Sequence, residues 1–147
     1  MPQICSEISV STPVEAIYGL AKQVETFPDI MADVEKVEVL EREGNRTVTH
    51  WVGSVKQFNR TIQWTEEDEW DDATRTCRFW LREGDFEKYE GTWRFEETPE
   101  GTRVILTLEY EYNVPLIGAL IKALLKKLMQ QNCDQMLTAL KTEAEEP

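Results

Sequence analysis

The stretch TRVILTLEYEYNVPLIGALIKALLKKLMQQNCDQMLTALKTE, residues 102–143, changes its apolar period once, and that change decides the fold. From Thr102 to Asn113 the period is two. Val104, Leu106, Leu108, Tyr110 and Tyr112 share one side, against Ile105, Thr107, Glu109 and Glu111 on the other. This is a strand with one covered face. Pro115 ends it. From Leu116 to about Glu143 the period becomes 3.6. Ile121, Leu125, Leu128, Met129, Asn132, Met136, Ala139 and Leu140 fall on one side of a wheel, with Lys122, Lys126, Gln130 and Lys141 away from its centre. A helix of about seven turns results, long enough to cross a whole sheet.

N-terminal to this stretch the period of two persists. Val37 and Val39 belong to a strand that ends at the turn Arg42-Glu43-Gly44-Asn45. Arg46–Val55 and Asn59–Glu69 follow, the latter with Arg60, Ile62 and Trp64 on one face. Thr74–Arg82 carries Cys77, Phe79 and Leu81 together, and Phe86–Glu97 carries Tyr89, Gly91, Trp93 and Phe95 together. Short turns join these runs, so they form an antiparallel meander of six strands. The chain begins with one more strand, Gln3–Val10, in which Ile4, Ser6, Ile8 and Val10 alternate with polar residues. Thr12 and Glu15 bracket Pro13 as a capping box, which predicts a short helix over residues 13–24. Phe27-Pro28 breaks it, and Asp29–Ala32 has room for one more turn.

The predicted fold is α+β: a curved seven-stranded antiparallel sheet around a long C-terminal helix, with short helices after the first strand. The whole of residues 1–147 reads as one domain, with 143–147 a frayed tail. One apolar sheet face must be covered, and only the long helix is large enough. A curved sheet around a single helix leaves room for an apolar cavity between them.

Composition narrows the function. The 147 residues are 41% hydrophobic, enough for a real core. Lys+Arg number 16 and Asp+Glu 28, a net charge of -12. Nucleic-acid binding and electrostatic docking on anionic lipid both need the opposite balance. Cys5, Cys77 and Cys133 are widely spaced, with no CxxC, which fits neither a disulfide framework nor a thiolate zinc site. Free thiols and the lack of a basic, then apolar, N-terminus point to the cytoplasm. The longest apolar run, Val114–Leu125, contains Lys122 and is too short to span a bilayer.

The residues that carry a family resemblance are Pro13-Val14-Glu15-Ala16-Ile17-Tyr18, Thr26-Phe27-Pro28-Asp29-Ile30-Met31, Trp64 with its acidic run, Glu83-Gly84-Asp85-Phe86, Glu90-Gly91-Thr92-Trp93-Arg94-Phe95 and the long helix after Pro115. The chain resembles the helix-grip (START-like, SRPBCC) superfamily, in its polyketide cyclase/dehydrase and coenzyme Q-binding branch. The resemblance implies binding of a hydrophobic small molecule, a lipid, quinone or polyketide-like compound, between sheet and helix, by a carrier or sensor without a cofactor. It leaves two alternatives: a cyclase or dehydratase, and a protein-interaction module of the ribosome-association-toxin type.

Ile62, Trp64, Phe79, Trp93, Phe95, Leu106, Leu108 and Tyr110 are expected to line the sheet side of such a cavity, and Ile121, Leu125, Leu128, Met129, Asn132 and Met136 the helix side. Asn132, alone among apolar neighbours, either bonds to backbone or trapped water, or meets the ligand. Arg60 and Tyr110 are the candidates for polarising a carbonyl. His50, the only histidine, excludes a two-histidine metal site and reads as a surface or half-buried residue. The acidic run Glu66-Glu67-Asp68-Glu69 with Asp71-Asp72 reads as a solvated strand end and turn. Leu116, Ile117, Leu120 and Leu124 give the start of the long helix an apolar excess. A ligand gate, a transient membrane contact, a homodimer interface or packing against Phe27-Pro28 would each account for it. An enzyme requires a titratable group inside the cavity with a shifted pKa. A lining of only Trp, Leu, Phe and Met would exclude one.

Overall fold

The structure, a computed structural model, describes residues 2–55, 59–112 and 119–146, with backbone alone at 119 and 121. Seven strands, β1 (Gln3–Val10), β2 (Val34–Glu43), β3 (Arg46–Val55), β4 (Arg60–Asp71), β5 (Thr76–Gly84), β6 (Lys88–Thr98) and β7 (Gly101–Glu111), form one antiparallel sheet in the order β1-β7-β6-β5-β4-β3-β2. The fold is the expected helix-grip α+β architecture. Between β1 and β2 lie helix α1 (Val14–Lys22), a 3-10 turn (Val24–Thr26) and helix α2 (Phe27–Ile30). Helix α3 (Ala119–Glu145) packs across the concave face and along edge strand β1.

The Thr12–Glu15 capping box does not form. Pro13 occupies the N-cap without a side-chain cap. Thr12 Oγ1 instead donates to the Ala144 carbonyl at the far end of α3, and Glu15 pairs with Arg75. A tertiary anchor has displaced the local one. Helix α1 stops at Lys22, and the extra turn begins at Phe27 rather than Asp29, with Pro28 in its first turn, where a missing N–H costs nothing.

The concave face is filled unevenly. Next to α1, Tyr18 packs edge-on against Trp70 and Phe95 at 5.6 and 5.4 Å, and Ile17, Leu137 and Leu140 close the space. Towards β3 and the first half of α3 the packing is looser. Gly91 permits the close approach of β6 beneath Phe79, because a Cβ there would stand 2.0 Å from the Thr107 carbonyl oxygen. Helix α3 is tied to β1 at several levels: Gln130 Nε2 donates to the Cys5 carbonyl, Ser6 Oγ to Asp134, and Lys141 Nζ to the Ser9 carbonyl.

Candidate functional site

A cavity of about 130 Å³ lies between the concave face and α3. Strand parity places Ile62, Trp64, Phe79, Trp93, Leu106 and Leu108 on its sheet wall, as the alternating pattern predicts. Helical spacing brings Leu125, Leu128, Met129, Asn132 and Met136 onto the opposite wall. Trp51 and Trp64 are stacked with ring centres 5.8 Å apart, and Tyr89 leans on Trp64 at 4.9 Å.

The remaining predicted site residues lie elsewhere. Phe95 belongs to the filled half, against Tyr18. Tyr110 is buried beside Phe86 outside the cavity lining, and its hydroxyl has no hydrogen-bond partner among the described residues. Burial pushes its phenol up to about 12. Arg60 is exposed at the start of β4, where its guanidinium donates to the Tyr112 hydroxyl at 3.4 Å. A strand terminus carries it away from the cavity. The side chain of Ile121, and residues Leu116 and Ile117, lie outside the described residues. His50 is half-buried, with Nδ1 2.9 Å from Thr65 Oγ1.

The acidic run departs most from expectation. Glu66 and Asp68 are only 4% and 5% exposed. The period of two continues straight through the run, so Glu66, Asp68 and Trp70 point inwards. Glu67 points outwards to Arg46 and Arg82, and Asp71 accepts hydrogen bonds from the Ala73 and Thr74 amides. Glu66 lines the cavity, where it accepts a hydrogen bond from Trp64 Nε1 at 2.7 Å. Asp68 lies behind it and accepts from Thr49 Oγ1 at 2.7 Å and Thr47 Oγ1 at 3.1 Å. The two carboxyl groups are close enough that each shifts the other. Burial first, and the neighbouring Asp68 charge second, hold Glu66 well above the ordinary carboxylate range. Asp68 is raised by burial too, but hydrogen bonds from Glu66, Thr49 and Thr47 offset part of that rise. Of the two, Glu66 is held the further up. Burial, and the Glu66 charge next, also raise the Tyr89 phenol well above its usual value.

Asn132 does not bond to backbone. It reaches across the mouth of the cavity, and its Nδ2 donates to Asp33 Oδ2 over a long 3.4 Å. Asp33, Ser54, Gln131 and Gln135 complete a polar rim there. The site residues that the sequence reading missed are Glu66, Asp68, Tyr89, Trp51 and Cys133. Tyr89 was already on the inner face of its strand. For Glu66 and Asp68 the signal was the unbroken alternation Ile62, Trp64, Glu66, Asp68, Trp70, which the density of charge obscured.

Residues 10–137 match the family described as polyketide cyclase / dehydrase and lipid transport. The chain belongs to that family. A protein from Thermus thermophilus of known crystal structure is similar over 97% of both chains, with 42% identity and a TM-score of 0.92. The Zhui aromatase/cyclase from Streptomyces sp. R1128 shares the fold at a TM-score of 0.89 and 21% identity, over 97% of this chain and 93% of that one. A candidate polyketide cyclase of Streptomyces halstedii is 30% identical over 97 residues, 65% of this chain and 89% of that protein. Among the described residues no helix is long and apolar enough to cross a membrane, and no cluster of His, Cys, Asp and Glu is arranged to hold a metal ion.

Proposed function

We propose that the chain is a cytoplasmic carrier or sensor that binds a hydrophobic small molecule between the sheet and α3. The observation that carries this reading is the cavity itself, walled by aromatic and aliphatic side chains and rimmed by a few polar ones. That is the usual constitution of a small-molecule site. At about 130 Å³ it has the volume of a single ring. A lipid, quinone or polyketide-like molecule needs a larger space, on the order of 300 Å³ or more. Such a ligand enters as the first turns of α3 move outwards, with the Asn132–Asp33 contact opening at the mouth. Leu120, 82% exposed, and Leu124 give those turns an apolar outer surface for brief contact with a donor membrane or a second copy.

Glu66, a buried carboxyl in the cavity wall raised well above the ordinary carboxylate range, favours a second reading, a cyclase or dehydratase in which this carboxyl supplies a proton to a carbonyl oxygen. Native mass spectrometry of gently purified protein, with extraction of the bound compound, tests the first reading. A stoichiometric apolar adduct is the expected result. A clean apo mass, together with no change in tryptophan fluorescence on titration with a short-chain quinone or a fatty alcohol, would overturn it. Conversion of a polyketone substrate that Glu66→Gln abolishes would establish the second.

A further inference from the structure

We infer that Glu66 and Tyr89 form a polar anchor that selects uncharged ligands carrying a carbonyl or hydroxyl oxygen and rejects carboxylates, fatty acids among them. This rests on the cavity being the binding site and specifies what it admits. Three observations carry it. First, the described lining residues include no Lys, Arg or His. The groups with ionisable side chains are Asp33 at the mouth, Glu66, Tyr89 and Cys133, none of them cationic. Second, Glu66 stands at the cavity wall with Asp68 buried beside it, and the charge this acidic pair carries meets only the neutral donors Trp64, Thr47 and Thr49. An incoming carboxylate would lose its water, find no counter-charge and face that charge. Third, Tyr89 lines the cavity and brings a hydroxyl to its wall. It is a donor held among the rings of Trp64, Phe79 and Phe86, free to bond to a ligand oxygen. The Glu66 carboxyl beside it can accept from a ligand hydroxyl through lone pairs that Trp64 leaves open.

The order of selection follows from these groups. An apolar ligand would leave the Tyr89 hydroxyl unsatisfied. A neutral oxygen satisfies it, and an anion adds an unpaired charge.

Three ligands of nearly the same shape separate these cases: α-methylstyrene, acetophenone and benzoate, titrated calorimetrically into the wild-type chain at neutral pH. Acetophenone should bind about fivefold more tightly than α-methylstyrene, the equivalent of one net hydrogen bond. Benzoate should bind at least about a hundredfold more weakly than acetophenone. Tyr89→Phe should bring acetophenone and α-methylstyrene to the same affinity, with an unchanged circular dichroism spectrum. Equal binding of all three would overturn the anchor while leaving the binding cavity intact. Benzoate binding as tightly as acetophenone would do the same. If none of the three binds, both the anchor and the binding function fall together. The wild-type series decides the matter even if the variant does not fold.

Discussion

Glu66 makes the fold's stability depend on pH in the direction opposite to an ordinary carboxylate. Glu66 and Asp68 are both raised in the native state. Above the ordinary carboxylate range the native chain therefore holds more protons than the unfolded one, and stability falls as pH rises through that window. Asp72, held at about 2 by Tyr18, Asn45 and Lys22, acts in the other sense. Its contribution is lost only in acid and is complete by about pH 5. Glu67, Glu38 and Glu145 are also lowered and behave alike. Of the other groups near the pair, Cys77 and Tyr89 are raised by burial and Cys133 is pushed up to about 12, so all three stay protonated. Between about pH 5 and 8 the pair sets the slope, which can approach ~1.4 kcal/mol per pH unit while the native pair keeps a proton that the unfolded chain has lost. Urea unfolding across this range should show wild-type stability declining with pH and Glu66→Gln nearly flat. Parallel curves would mean that Glu66 is ionised in the native state. Gly91 is a second residue with a defined cost. A Cβ would meet the Thr107 carbonyl oxygen at 2.0 Å and the Phe79 ring at 2.6 Å. β7 cannot retreat, because β1 holds its other side. Gly91→Ala should lose about 3 kcal/mol in urea, and an unchanged midpoint would show that β6 yields instead.

At the scale of elements, α3 is held unequally along its length. Its later turns carry the bonds from Gln130, Asp134, Lys141 and Ala144 to β1 and the segment after it, and they bury Cys133, Leu137 and Leu140. Before Leu128 only Leu125 is buried among the described side chains. Amide exchange should therefore be fast over residues 120–128 and slow over 133–145. Uniform protection would rule out the first turns as the moving part. The Asn132–Asp33 bond at the mouth is long and half-buried, so Asn132→Leu should change stability by less than about 1 kcal/mol. A loss above about 2 kcal/mol would show that the contact holds α3 down. These elements were legible from the sequence because period sets them. Val104, Leu106 and Leu108 declare a strand, and Leu125, Met129 and Met136 a helix, without reference to anything distant. Contacts across the fold were not legible. Thr12 meets Ala144 and Asn132 meets Asp33 only after the chain has closed. Nothing local marks Thr12 as an anchor rather than a cap. The inward turn of Glu66 and Asp68 was legible in the alternation, but their charge argued for solvent until Trp64, Thr47 and Thr49 were seen to satisfy them.

The whole molecule carries a net charge of -12, and its ion pairs do little to offset this. Several of the pairs among the described residues, such as Lys36–Glu38, Lys88–Glu90 and Arg94–Glu96, join exposed side chains on the sheet. Pairs of that kind contribute roughly 0–1 kcal/mol each. Glu67 is the better case, since it is mostly covered and receives both Arg46 and Arg82. Repulsion among the surplus carboxylates acts over the whole surface and opposes the compact state more than the extended one. Added salt screens both effects, with a screening length near 10 Å at about 0.1 M. Close pairs, within 4 Å, are screened less than the longer-range repulsion. Raising potassium chloride from about 20 to about 200 mM should therefore raise the melting temperature, by a few degrees at constant pH. A fall would mean that the surface pairs outweigh the repulsion. The same experiment bears on the cavity. Screening weakens the long-range field that turns anions away from the surface, but it does not reach the buried Glu66–Asp68 pair. Benzoate should remain excluded at high salt, because its rejection is set inside the cavity and not by the net charge outside.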